Sequence, residues 1–274
     1  MTELVKFLFD GLPVRGHLVR LTDAWQEVLR RRQTIGAHPR EVRVLLGEMA
    51  AAGVLMQASI KYNGALVIQI FGDGPVKLAV AEVQSDLAFR ATATVVGEVP
   101  AGAQLEAMLN VSGKGRCAIT LDPRDKLPGQ QPYQGVVSLH GDQREPLQQV
   151  SRVLEHYMLQ SEQLDTCLVL AAPLTREELL TLPTERILHR LFWEEPLRVF
   201  EPLQPRFACT CSRDRVRGML QSLGQAESDG LIAERGSVEV GCEFCGLQYR
   251  FDAVDVGEMF TPAGNQPPGS RAVN

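Results

Sequence analysis

The chain has 274 residues, 45% of them hydrophobic and 22% charged, so it can bury a sizeable core and has room for one large and one small domain. Its net charge of −5 and pI near 5.6 argue against general nucleic-acid or anionic-membrane binding, both of which need a positive field. The opening Met1 to Asp10 lacks a basic stretch followed by an apolar run, and no uninterrupted apolar run suits a bilayer; these features predict a cytoplasmic protein without a membrane partner.

In chain order, Leu18, Leu21, Trp25, Val28 and Leu29 recur at helical spacing and predict an amphipathic helix. Pro39 to Ser59, rich in Ala, Leu and Met, predicts a buried helix. Strands are expected at Ala65–Phe71 and Val76–Val83, joined by the turn Gly72-Asp73-Gly74-Pro75, then at Arg116–Leu121 and Gln134–Leu139. Pro146 to Gln160 returns to helical period, and Thr166–Ala171 reads as a further strand. Short turns between successive strands imply a largely antiparallel sheet packed with helices, an α+β domain over residues 1–172.

The character then changes. Thr175-Arg176-Glu177-Glu178 fits a capping box, Thr184 to Trp193 fits a short helix, and prolines punctuate the stretch. Residues 173–205 are read as a helical linker, 206–262 as a small module holding four of the six cysteines, and 263–274 as a disordered tail.

That module contains Cys209-Thr210-Cys211, then thirty residues, then Cys242-Glu243-Phe244-Cys245. Two close pairs far apart in sequence are the pattern of a four-thiolate zinc site, because each pair supplies two soft ligands from one tight turn. Cys209, Cys211, Cys242 and Cys245 are therefore the expected ligands of one Zn²⁺. A permanent structural site and a redox-responsive one both fit this spacing. The tight Cys-x-Cys pair and the neighbouring Arg206, Arg213, Arg215, Arg217 and Arg250 favour the second, since cations stabilise thiolate. Cys117 and Cys167, in apolar segments, are expected to pack as small hydrophobes.

The chain also resembles the redox-regulated holdase chaperones of the thirty-three-kilodalton heat-shock protein family. The resemblance begins with Val14-Arg15-Gly16, Leu18-Val19-Arg20-Leu21, Leu45-Leu46-Gly47-Glu48 and Gly72-Asp73-Gly74-Pro75. It continues through Tyr133-Gln134-Gly135-Val136-Val137, Ser161-Glu162-Gln163-Leu164, Leu191-Phe192 and Phe200-Glu201-Pro202, and ends on the two cysteine pairs. It implies a zinc-bound, reduced, inactive monomer. Oxidation would form Cys209–Cys211 and Cys242–Cys245 disulfides, release zinc and unfold the module and a metastable linker. The activated protein would dimerise and hold unfolding clients without ATP under oxidative stress, and would not be an enzyme. One departure stands out: between Thr166–Ala171 and Thr175 the family carries a further strand and helix that this chain lacks.

Such a pairing would have a physical consequence. Each disulfide would close a loop of three or four residues, constraining the unfolded chain by roughly 1.5–2 kcal/mol. Zinc, by contrast, ties the chain across the thirty-residue gap. Oxidation would then remove the long-range link and add only local ones, whereas cross-pairing such as Cys211 with Cys242 would keep the module stapled. Two other readings remain open at this level: a zinc-ribbon nucleic-acid binder, favoured by the arginines, and a thiol oxidoreductase using Cys242 and Cys245. Ser112-Gly113-Lys114-Gly115 lacks the full phosphate-loop pattern and is read as a turn.

Overall fold

The computed structural model describes residues 1–126, 129–171 and 182–261. The chain divides into two compact units, residues 1–208 and 209–274. The predicted capping-box helix at Thr175 and the predicted tail lie outside the described residues.

The first unit opens with an antiparallel hairpin, β1 (Thr2–Phe9) and β2 (Arg15–Leu21), paired from Thr2 with Leu21 to Leu8 with Arg15. Leu18 and Leu21 therefore lie on a strand, not on the predicted helix. A spacing of three suits one face of a helix; in the strand it sends Leu18 and Leu21 to opposite faces, into two different clusters. Helix α1 (Thr22–Gln33) starts immediately afterwards, and the Thr2 hydroxyl accepts the Asp23 and Ala24 N–H groups at its N-terminus.

Helix α2 (Arg40–Ser59) lies against a six-stranded sheet ordered β7-β6-β3-β4-β5-β9. Its strands are β3 (Gly64–Phe71), β4 (Val76–Gln84), β5 (Ala88–Val95), β6 (Arg116–Pro123), β7 (Tyr133–Ser138) and β9 (Arg206–Phe207). All neighbours are antiparallel except β5 with β9. The face under α2 is built of Leu66, Ile68 and Ile70 flanked by Ala79, Ala81, Ala91 and Ala93. Those small residues let the helix approach closely: a Cβ on Gly53 would stand 2.9 Å from Val83 Cγ2. By length and composition α2 could cross a membrane, but Val42, Leu45, Leu46 and Met49 are buried in the sheet core.

Helix α3 (Leu105–Leu109) and helix α4 (Val150–Glu162) close the same core, with Tyr157 of α4 lying over Gly135 of β7. The Gly72–Pro75 turn joins β3 to β4 as predicted, and Asp73 Oδ2 accepts the Ser112 and Lys114 N–H groups. The glycine-rich 112–115 segment is thus a turn tied to another turn.

Thr166–Ala171 is not a strand. Leu168 and Leu170 pack on the core while Cys167 and Val169 face outward, so the alternation is real, but among the described residues no neighbour supplies a ladder. The Leu168 N–H is instead taken by Glu155. Cys117 is fully buried in β6 as expected, whereas Cys167 is exposed in this unpaired segment.

Helix α5 (Thr184–Leu191) docks on the β1–β2 hairpin, where Leu188 is buried with Val5 and Phe7, and Phe192 stacks edge-on against Phe9 at 4.9 Å. At its start, the Thr184 hydroxyl donates to Glu3 at 2.6 Å, and Arg20 reaches the Leu182 carbonyl. The chain then adds β8 (Leu197–Val199) to the free edge of β1, giving a three-stranded sheet ordered β2-β1-β8.

One residue of this hairpin makes the fold acid-sensitive. Burial, then the nearby Lys6 and Arg15 cations, lower the His17 pKa from 6.5 to about 4. The folded state thus prefers neutral imidazole more than the unfolded chain does. The stabilisation is complete above pH 6.5 and is lost as pH falls from there toward 4. Melting temperatures over this range should fall less steeply in His17→Gln than in the parent.

Candidate metal centre

The second unit has a small core of Leu220, Val238, Tyr249, Phe251, Val256 and Met259. It is formed by helix α6 (Arg213–Leu223), helix α7 (Gln225–Arg235), the hairpin of β10 (Val238–Gly241) and β11 (Gln248–Phe251), and helix α8 (Ala253–Phe260). Ser212, next to Cys211, caps α6 by accepting the Arg215 N–H. Asp252 and Asp255 form a reciprocal capping box on α8.

The β10–β11 connection is a tight knuckle. The Cys242 N–H donates to Leu247 O at 2.9 Å, and the Gly246 N–H donates to Cys242 O at 2.8 Å. Gly246 adopts φ of +73°, which an L side chain would strain. This turn holds Cys242 and Cys245 on one side, opposite the short segment carrying Cys209 and Cys211.

All four sulfurs lie within 4.8 Å of one another. Cys209 Sγ is 3.6 Å from Cys242 Sγ, and Cys211 Sγ is 3.4 Å from Cys245 Sγ. Four sulfurs around a metal at about 2.3 Å would stand about 3.8 Å apart, so the cluster could hold one metal ion. All four cysteines are free thiols.

Two thiols of the cluster differ electrostatically. At Cys211 burial opposes ionisation, but the Tyr249 hydroxyl and the other three sulfurs outweigh it and bring the pKa below the usual thiol value. Burial pushes Cys245 up, against the Leu247 N–H bond to its sulfur. Of the arginines expected to promote thiolate, Arg215 stays at the first pair, donating to Thr210 Oγ1 between Cys209 and Cys211. Arg213 stacks on Phe251 at 4.2 Å and pairs with Asp255 at 2.8 Å, Arg250 faces Glu239, and Arg206 belongs to the first unit, beside Asp86. Tyr249 acts on Cys211 as well. Its position, four residues after Cys245, was legible only as strand alternation.

A six-stranded, largely antiparallel sheet capped by a buried helix, followed by a four-cysteine unit, defines an α+β protein with a thiol-rich C-terminal module. Comparison with known proteins places it more closely. The family described as Hsp33 protein matches residues 2–175 and 168–252, and the chain belongs to the Hsp33 chaperone family. The 33 kDa chaperonin of Chromobacterium violaceum is 44% identical, covering 94% of this chain and 93% of that protein. That of Neisseria meningitidis serogroup A is 39% identical, covering 93% and 90%. The crystal structure of the 33 kDa chaperonin from Thermotoga maritima shares the fold, with a TM-score of 0.71 at 20% identity over 94% of this chain and 97% of that one. The two family segments meet at residues 168–175, and the Chromobacterium alignment spans 289 positions against the 274 of this chain. The overlap of the two family segments falls beside Thr166–Ala171.

Proposed function

We propose that this chain is a redox-regulated, ATP-independent holdase of the cytoplasm, switched by its four cysteines. The observation that carries the proposal is the convergence of two distant cysteine pairs in a unit with a small core. In the reduced protein Cys209, Cys211, Cys242 and Cys245 would hold Zn²⁺, which when bound cross-links the two halves of the module. Oxidation would couple Cys209 to Cys211 and Cys242 to Cys245, each thiolate pair losing two electrons to the oxidant as Zn²⁺ is released to solvent. The module, residues 206–262, would then lose its long-range link.

The linker, residues 173–205, follows by chain continuity. Between α5 and Cys209 the chain is held by the three residues of β8, the Leu4–Leu203 bridge and the two residues of β9. Loosening would run from Cys209 backward through these short pairings in turn. It would uncover Val5 and Phe7 together with Leu188 and Phe192, creating an apolar surface for unfolding clients. The activated form would dimerise; no catalytic step and no nucleic acid are assigned to it.

The test measures zinc content and suppression of client aggregation before and after peroxide or hypochlorite with mild heat. Reduced, zinc-loaded protein should be inactive, and oxidised protein should be metal-free and active. Full activity in the reduced protein would contradict redox control, and zinc release without client holding would contradict the chaperone role.

A further inference from the structure

We propose that the edge of β1 uncovered when residues 196–203 detach is a strand-addition site for an extended polypeptide. The inference rests on the release proposed above and names how the client would be held.

In the folded protein the edge is already filled by a strand. β8 pairs with β1 antiparallel, Phe7 with Val199, Leu8 with Arg198 and Phe9 with Leu197. The Leu4 N–H donates to Leu203 O at 2.8 Å, and the Asp10 N–H to Pro196 O at 2.9 Å. In return the Phe200 N–H donates to Lys6 O at 2.9 Å and the Leu203 N–H to Leu4 O at 2.8 Å. The even-numbered residues of this stretch therefore point their backbone groups at the segment. The opposite edge is occupied by β2, and Phe9 donates to Val14 on that side. Detachment would leave β1 paired on one edge and open on the other, and an open row of N–H and C=O groups is a template for another chain.

Side chains reinforce the main chain. Val5 and Phe7, 2% and 5% exposed, are covered by Leu197 of this segment and by Leu188 and Phe192 of the preceding α5 region. An incoming strand with apolar residues at every second position would replace the backbone bonds and the Leu197 contact. Edge strands are commonly guarded by a lysine, but Lys6 is turned away to the Ala58 carbonyl at 2.6 Å. Recognition through the backbone needs no sequence motif, which suits a protein holding many unfolding chains.

Amide hydrogen exchange on the full-length protein tests this, using reduced, carboxymethylated α-lactalbumin as a permanently unfolded probe. The Leu4 and Asp10 amides should be slow in reduced protein, fast after oxidation, and at least about 10-fold slower again when the probe is added. The Phe9 amide, bonded to β2, should not respond to the probe. Probe binding with Leu4 and Asp10 still fast would overturn strand addition while leaving the holdase reading intact. Absence of probe binding after oxidation would overturn both. Re-protection without probe that grows with protein concentration would put a second copy on the edge and overturn the client assignment.

Discussion

Stripping zinc from the reduced protein is expected to unfold residues 209–261 while residues 1–171 stay folded. The second unit buries only a handful of large apolar side chains, Leu220, Tyr249, Phe251 and Met259 among them. A core that small rarely supplies more than about 3–5 kcal/mol. Binding of zinc to four thiolates contributes on the order of 10–16 kcal/mol, so the metal decides whether the unit folds. The first unit has its own extended cores on α1 and α2, independent of the cysteines. Cys245→Ser should reproduce the effect, since it removes the most buried ligand. Amide exchange over β10 and β11 reads the outcome. If those amides stay protected in chelator-treated protein, the small core stands by itself and the metal is not the switch.

Leu188→Ala is expected to lower the oxidant dose needed for client holding, and to give measurable activity in the reduced state. Leu188 is 4% exposed and packs directly on Val5 and Phe7. Truncating a leucine in such a site costs about 2–5 kcal/mol. That loss falls on the docking of α5, so the detached population should rise by about 30-fold or more, taking 1.4 kcal/mol per decade. Thr184→Val should act in the same direction, because it withdraws the hydroxyl that donates to the buried Glu3 carboxylate. A Leu188→Ala protein with unchanged thermal stability and unchanged oxidant response would show that docking of α5 does not gate activity.

The four-cysteine cluster was legible in the sequence because the chemistry of each pair is local. Cys-x-Cys and Cys-x-x-Cys each declare a turn carrying two sulfurs, and only their meeting needed the fold. The helix α2 and the β3–β4 hairpin were legible for the same reason, through a long apolar run and a Gly-Asp-Gly-Pro turn. β1 was not, because both of its faces are covered and its burial shows no alternation. β5 was not, because Ala88 to Val95 is built of small Ala and Thr residues whose value lies in admitting α2. The electrostatics of the site were legible only in part. Arg215 reaches Thr210 between the first two cysteines, but Arg213 and Arg250 turn to Asp255, Phe251 and Glu239, and the influence of Tyr249 on Cys211 carried no signal in the sequence beyond strand alternation.

The geometry sharpens what oxidation must do. Cys209 with Cys242 and Cys211 with Cys245 lie at 3.6 and 3.4 Å, so cross-pairing is as reachable as pairing within each motif. Cross-pairing would close loops of about 34 residues and constrain the unfolded chain by about 3.8 kcal/mol per bond, stapling the module shut. Pairing within each motif leaves the halves unconnected. Proteolytic mapping of the disulfides in fully oxidised, client-holding protein separates the two. The account predicts Cys209–Cys211 and Cys242–Cys245; recovery of Cys209–Cys242 or Cys211–Cys245 from the active species would contradict it.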